Sequence, residues 1–403
     1  MDIPEIPPFF ICPISLQIMK DPVTLSTGVT YDRESIYRWV FSYNHNTCPV
    51  TKQPLTDHNL TPNTTLLRLI QSWSRGNSSN VAIQVDSSKR VPDFSAFGKI
   101  IAEVRVPRSQ IKSLRKIKSI IQESDYNRRC MEEGGVASLI VSLITETDPR
   151  RFSDPNDDSV ATEEAIKVLY VLKPSPETLK KLAEDKNGKL IASLSLMMQD
   201  GSYQSRIHAT LLLKSVFKLV DDIYKTELRA ELFDSIVEII KDQNSNQATK
   251  AALSILTEVT PFGCNSIKAV GVGLVTVLVE LLAESNERRS CEVMLGVLEV
   301  LCGKAEGRAA FIAHPASMAA VSSKILKVSQ AANERSLKVL LLVCRFCERS
   351  VVLEMMEVGV VGKVFMVVQA ECSRKAKERA KEILGLHMQT WSKSPCFSSN
   401  MWL

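Results

Sequence analysis

After Cys130 the chain repeats itself, and the length of the repeat restricts the fold more than any other feature. A segment of Gly then alternating apolar residues ending in a Leu-Leu or Ile-Ile pair is followed by a polar gap and then a second long apolar helix pattern. Five copies stand out: GGVASLIVSLI from Gly134, KLIASLSLMMQ from Lys189, LFDSIVEIIKD from Leu232, VGLVTVLVELLAE from Val272 and VGVVGKVFMVVQ from Val358. A degenerate copy, MAAVSSKILKV from Met318, fills the one wide gap. The spacing is about 40 residues, the period of helical solenoids. A unit of that size cannot bury its apolar faces alone and must stack on its neighbours.

The second helices agree. ATKAALSILTEV, CEVMLGVLEVLC and SLKVLLLVCRFC are apolar on nearly all sides, as helices sandwiched between repeats must be. The units resemble armadillo repeats, with HEAT-like helical pairs as the alternative. We expect an all-α armadillo-like superhelix over residues 99–392. Between the first two copies lies ETDPRRFSDPNDDSVATEE, an acidic, Pro-containing insertion from Glu146 to Glu164 that we expect to be a loop.

Composition shifts near residue 75. The stretch from Ser74 to Pro92 is rich in Ser and Asn, which makes 81–98 a linker between the array and a separate module at 5–80. The module is a small α+β unit. Val23 to Leu25 and Val29 to Tyr31 are β-rich runs around Ser26-Thr27-Gly28, a hairpin signal. Asp32 is a candidate N-cap for a helix presenting Ile36, Trp39, Val40 and Tyr43 on one face. Thr61-Pro62-Asn63 opens a second helix carrying Leu66, Ile70 and Trp73.

Two tetrads, Cys12-Pro13-Ile14-Ser15 and Cys48-Pro49-Val50-Thr51, have the outline of C-x-x-C with the second cysteine replaced by a hydroxyl. A hydroxyl does not replace a thiolate, and with only Cys12, Cys48, His45 and His58 as soft or borderline ligands the module cannot build closed four-ligand zinc sites. No metal and no other cofactor is expected.

The successive signatures CPI, KDPV, STG, TYDR, a helix Trp, CPVT and LTPN resemble the U-box, a RING-like domain whose zinc sites are replaced by hydrogen bonds and packing. With the linker and repeats, the chain as a whole resembles the plant U-box proteins with C-terminal armadillo repeats, a group with members in defence and stress signalling. The resemblance implies a RING-type ubiquitin-protein ligase. Such a ligase has no nucleophile of its own; it docks a ubiquitin-conjugating enzyme charged with ubiquitin and orients the thioester, while the array holds the protein substrate. It places Ile14 and Leu16 in the first docking loop, Pro49 in the second, and Trp39 on the helix flooring the groove between them. Lys52 stands where many such ligases carry an arginine; it keeps the charge but lacks the planar fork of donors. Cys12 and Cys48 match family positions and are expected to be small buried core residues. Ile14, in a loop after proline with no periodic partner, is expected to be exposed, whereas Trp39 could equally be core.

The alternative from a different class is an armadillo adaptor with an inactive U-box used for assembly; Ile14, neither charged nor Gly, favours the ligase. Other motifs yield blander readings. Cys344 and Cys347 form a C-x-x-C inside a helical run without a preceding strand, which favours packing over redox chemistry. His208, His314 and His387 stand alone. The basic run Arg105, Arg108, Lys112, Arg115, Lys116 and Lys118 is balanced by a buried stripe of Ile111, Leu114, Ile117, Ile120 and Ile121, so we expect a solvated helix face.

A formal net charge of +5 over 403 residues does not point to nucleic acid. The longest apolar stretch, Val270 to Ala283, contains Glu280 and is too short to span a bilayer, so no integral membrane segment is expected. The N-terminus MDIPEIPPFF lacks the basic and apolar parts of a signal peptide, and ten scattered cysteines suit a reducing compartment. The expected location is cytoplasmic, with nuclear or peripheral membrane association and homo-oligomerisation both open.

Overall fold

The computed structural model describes residues 6–42, 45–55, 59–76, 100–146 and 157–392. The chain divides into two compact units, Met1–Ala102 and Glu103–Leu403.

In the first unit, strands β1 (Pro22–Thr24) and β2 (Thr30–Asp32) form an antiparallel hairpin that pairs Val23 with Tyr31. Gly28, at φ +79°, supplies the left-handed turn residue that an L side chain resists. Each strand lies one residue further from the turn than the β-rich runs suggested. Helix α1 (Arg33–Tyr37) runs directly into a π turn over Arg38–Ser42. Asp32 does occupy the N-cap position of α1, but it does not cap that helix: its carboxylate accepts from the backbone N–H groups of Lys20 (2.8 Å) and Asp21 (3.1 Å). Strand β3 (Thr61–Pro62) extends the sheet to the order β2-β1-β3, where sequence reasoning placed a helix start. An edge position suits Pro62, which has no N–H to give. Helix α2 (Thr64–Gly76) starts after it, with Asn63 Oδ1 accepting from Leu66 N–H at 3.0 Å.

The core of this unit gathers Phe10, Cys12, Met19, Val23, Leu25, Tyr31, Ile36, Val40, Cys48 and Ile70. Leu66 and Trp73 pack at its margin, and Phe10 meets Trp73 edge to face with ring centroids 5.8 Å apart. Tyr43 and the linker at 81–98 lie outside the described residues.

The first long helix of the second unit is Pro107–Glu123. Repeating three-helix units follow: a short helix, a second helix and a long third helix. That is the armadillo arrangement and not the helical pairs of the alternative. Second helices include Val136–Glu146, Lys189–Asp200 and Leu274–Glu284; third helices include Asp157–Leu172, Tyr203–Phe217, Asn246–Val259, Arg288–Cys302, Gln330–Cys344 and Arg374–Leu386. Third helices pack on third helices and second on second, so each class forms a continuous layer.

The local cause of the sharp junction between short and second helix is legible. Gly135, Gly188, Gly273 and Gly359 each immediately precede a second helix at φ between +73° and +80°, where only glycine avoids strain. The apolar stretch Val270–Ala283 is divided by one such junction between Asn265–Gly271 and Leu274–Glu284, which meet at 75°. No single helix among the described residues is long and apolar enough to cross a membrane.

Three pairs of consecutive third helices are joined by a recurring latch. Ser202, Ser329 and Ser373 occupy the N-cap positions of three third helices, and each hydroxyl donates to a glutamate on the third helix before: Glu163 at 2.6 Å, Glu292 at 2.5 Å and Glu334 at 2.6 Å. The partners are 39, 37 and 39 residues apart, so the sequence period appears here as a bond. Glu163 and Glu164 belong to what was expected to be a loop. Helix Asp157–Leu172 absorbs that end of the acidic insertion: Glu163 binds Ser202 and Ser205, and the largely buried Glu164 pairs with Lys167 at 3.2 Å. Burial works against ionisation of Glu163, yet the Ser202 hydroxyl and N–H, the Ser205 hydroxyl and Lys167 together hold its carboxyl below the usual range. Residues 147–156 of the insertion lie outside the described residues.

Candidate functional site

Two loops of the first unit share one geometry. In the first, Cys12 N–H donates to Gln17 O (2.8 Å) and Leu16 N–H to Cys12 O (2.9 Å); in the second, Cys48 N–H donates to Gln53 O (2.9 Å) and Lys52 N–H to Cys48 O (2.9 Å). Both are closed at the base by an isolated bridge, Ile11 with Ile18 and Thr47 with Pro54. Both turn on a non-glycine residue in the left-handed region, Leu16 at φ +55° and Lys52 at φ +59°. The sequence had signalled this kinship, since CPISLQ and CPVTKQ match position by position in residue class except at Leu16 and Lys52.

Neighbouring residues of β2 hold the two loops. Asp32 N–H donates to Cys12 Sγ at 3.2 Å, and its carboxylate takes the amides that close the first loop. Tyr31, fully buried, bonds Cys48 Sγ at 3.0 Å through its hydroxyl, which also accepts from Val50 N–H at 3.2 Å. Burial pushes the Tyr31 phenol well above its ordinary range, so it stays protonated and can donate to sulfur. Thr27 adds a third contact to Cys48 at 3.4 Å. Burial raises the Cys48 thiol, but donation from Thr27, Thr51 and Tyr31 outweighs it and pulls the thiol down to about 6. Cys12 and Cys48 are both completely buried, so neither sulfur is presented for chemistry at the surface. Among the described residues no group of three or more His, Cys, Asp or Glu is placed to hold a metal; His58 lies outside them.

On the outside of the loops the apolar side chains divide differently from the sequence expectation. Ile14 is half-buried, packed against the core. Leu16 is the exposed one, at 77%. Pro49 is half-buried, and Val50, which sequence reasoning passed over, is 53% exposed. Trp39 is half-buried on the flank of the π turn: its indole N–H donates to Thr47 O at 2.8 Å and its ring lies 4.2 Å from that of His45. Lys52 is exposed, its ammonium 5.7 Å from the centre of the Trp39 ring, within cation–π reach. The structure thus brings Trp39, Pro49 and Lys52 together with Val50 and His45 at one loop, and sets Ile14 and Leu16 in its structural twin.

The family model of the U-box domain matches residues 6–79, and that of the plant U-box protein ARM repeat region matches residues 97–403. The chain belongs to the plant U-box proteins. It is 44% identical to the E3 ubiquitin-protein ligase PUB23 of Arabidopsis thaliana over 98% of this chain and 96% of that one. Identity to PUB22 of the same plant, also named an E3 ubiquitin-protein ligase, is 42% over 99% and 98%. Among solved structures, a chain from work on a phosphorylation switch in the interaction between cadherin and beta-catenin aligns with a TM-score of 0.58 at 12% identity, covering 82% of this chain and 58% of that one. At that identity the likeness is one of fold. The protein is therefore a U-box E3 ubiquitin ligase with armadillo repeats.

The other motifs resolve as packing. Cys344 ends helix Gln330–Cys344 and is buried against Met355, 3.7 Å between sulfurs, which raises its thiol beyond use as a nucleophile. His387 Nε2 bonds Cys344 O at 2.8 Å, and His314 Nδ1 accepts from Ala316 N–H at 3.2 Å. His208 differs, having a buried Nδ1 without a hydrogen-bond partner.

Proposed function

We propose that the paired loops of the U-box form the docking surface for a charged ubiquitin-conjugating enzyme, and that the armadillo array holds the protein whose lysines receive ubiquitin. One observation carries this reading: two structurally equivalent loops offer exposed apolar side chains, Leu16 and Val50, with Ile14, Pro49 and Trp39 half-buried behind them. A small apolar patch of this kind gives a weak, exchangeable interface its specificity. With both U-box cysteines sealed in the core, ubiquitin passes directly from the conjugating enzyme to the substrate, and the ligase contributes orientation. Lys52, resting on the Trp39 face, is the cation nearest to this patch in the second loop and takes the place of the family's arginine as a single point charge.

The test is discharge of ubiquitin from a panel of charged conjugating enzymes to free lysine. Leu16→Ala should slow discharge about tenfold or more, the loss of a hot-spot side chain, with melting unchanged. Discharge at the wild-type rate would remove Leu16 from the docking surface.

The role in plant defence or stress responses follows from the family resemblance alone, and location in the cytoplasm, with the nucleus or a membrane surface open, from the N-terminal sequence and the scattered cysteines. Plants lacking the protein that respond normally to elicitor and to water deficit would end the first; cell fractionation decides the second.

A further inference from the structure

The third-helix layer carries a cleft of about 380 Å³ near its N-terminal end. Its apolar walls come from Leu179, Leu211, Leu212 and Leu219, with Pro174 and Pro176 beside them, and it is shared by helices Asp157–Leu172 and Tyr203–Phe217 with Gln247 of the next repeat. The charged residues lining it are Lys173 and Lys214, and no carboxylate lines it. Neither lysine forms an ion pair with a described residue. The comparable cleft of about 390 Å³ between second helices Lys189–Asp200 and Ala230–Asp242 instead mixes Arg229 with Glu227 and Glu231, and so favours no charge.

One further feature singles out the first cleft. Tyr170, another lining residue, stacks on His208 with ring centroids 4.6 Å apart. His208 in turn lies within the field of Lys167, on helix Asp157–Leu172, and Lys118, on helix Pro107–Glu123; burial and these two charges hold its imidazole below its ordinary range. Lys167 is offset by Glu164, but Lys118 has no carboxylate partner among the described residues.

We propose that this cleft is the anchor point at which the array takes hold of its substrate, and that the substrate offers an extended segment with one bulky apolar side chain set among carboxylates. The apolar side chain enters between Leu179, Leu211 and Leu219, the carboxylates meet Lys173 and Lys214, and the Gln247 amide is available to the peptide backbone. The inference rests on the reading of the array as substrate holder.

The experiment is selection of a displayed library of random twelve-residue peptides on the immobilised full-length chain, followed by fluorescence polarisation with an enriched peptide. Enriched sequences should be acidic with a central Leu or Phe. Lys173→Glu combined with Lys214→Glu should weaken their binding on the order of tenfold or more and reduce its dependence on salt. Should that variant melt early, Lys173→Gln with Lys214→Gln carries the test, with a smaller loss in the same direction. Enrichment of neutral or basic peptides, or equal binding of acidic ones to the charge-altered chain, would overturn the proposal and leave the array as a peptide holder. Absence of any enriched peptide would overturn both.

Discussion

Tyr31→Phe tests whether a single hydroxyl positions the second loop. The substitution keeps the ring in the core and removes only the group bonded to Cys48 Sγ at 3.0 Å and Val50 N–H at 3.2 Å. Cys48 retains its contact with Thr27. Each of the two lost hydrogen bonds costs about 0.5–1.5 kcal/mol, so the expected destabilisation is about 2 kcal/mol. For a domain of this size each kcal/mol lowers the melting temperature by about 4–8 °C, which gives a fall of about 8–16 °C in the U-box transition. Amide hydrogen exchange followed residue by residue should locate the change: Val50 and Lys52 lose protection, while Leu16 and Met19 keep theirs because Asp32 still holds the first loop. Discharge of ubiquitin should slow in step. A melting shift under about 2 °C, or equal loss of protection in both loops, would refute the idea that Tyr31 and Asp32 hold the loops separately.

Ile14→Ala should reduce both transfer and U-box stability, because Ile14 packs on the core, whereas Leu16→Ala should reduce transfer alone; circular dichroism beside the discharge assay separates them. Purified protein should contain well below one equivalent of zinc, and a chelator should leave its melting unchanged; a stoichiometric metal whose removal lowers melting would contradict the hydrogen-bonded account of Cys12 and Cys48. The folded Cys48 thiol ionises near 6 against an ordinary value of 9.0, so its contribution to stability is present above pH 9 and is lost as pH falls through 6. U-box melting should decline across that window, and Cys48→Ala should flatten the dependence. Residues 1–80 alone should discharge ubiquitin to free lysine, and 99–392 alone should bind substrate and inhibit the whole ligase; a requirement for the array in discharge to free lysine would show that the two are coupled.

What could be read from the sequence was what local chemistry controls. The glycines before the second helices announced themselves because one backbone angle admits little else, and the apolar periodicity exposed the layers. The misreadings involve partners distant along the chain. Asp32 looks like a cap until Lys20 and Asp21, 12 and 11 residues away, take its carboxylate. Thr61–Pro62 looks like a helix start until β1, far upstream, offers an edge. Ile14, expected to be exposed, packs on core residues supplied from elsewhere in the chain, and nothing local in a post-proline isoleucine signals that contact. Glu163 reads as loop acidity until Ser202, in the next repeat, becomes its partner. The matching pattern of CPISLQ and CPVTKQ was visible, and comparing the two would have drawn attention to Val50.

The serine latches also govern how such an array can change length. Each joins the start of one helix to an acid on the helix before, and the partners stand 37 to 39 residues apart. Helix Gln330–Cys344 has the serine of one latch at its start and carries the glutamate of the next, so removing or duplicating its whole unit brings a serine opposite a glutamate again. A shorter insertion or deletion within the unit strands both groups: a glutamate without its donor and a helix start without its tie. Arrays built on this joint grow and shrink by entire repeats, much as a chain is altered by the link.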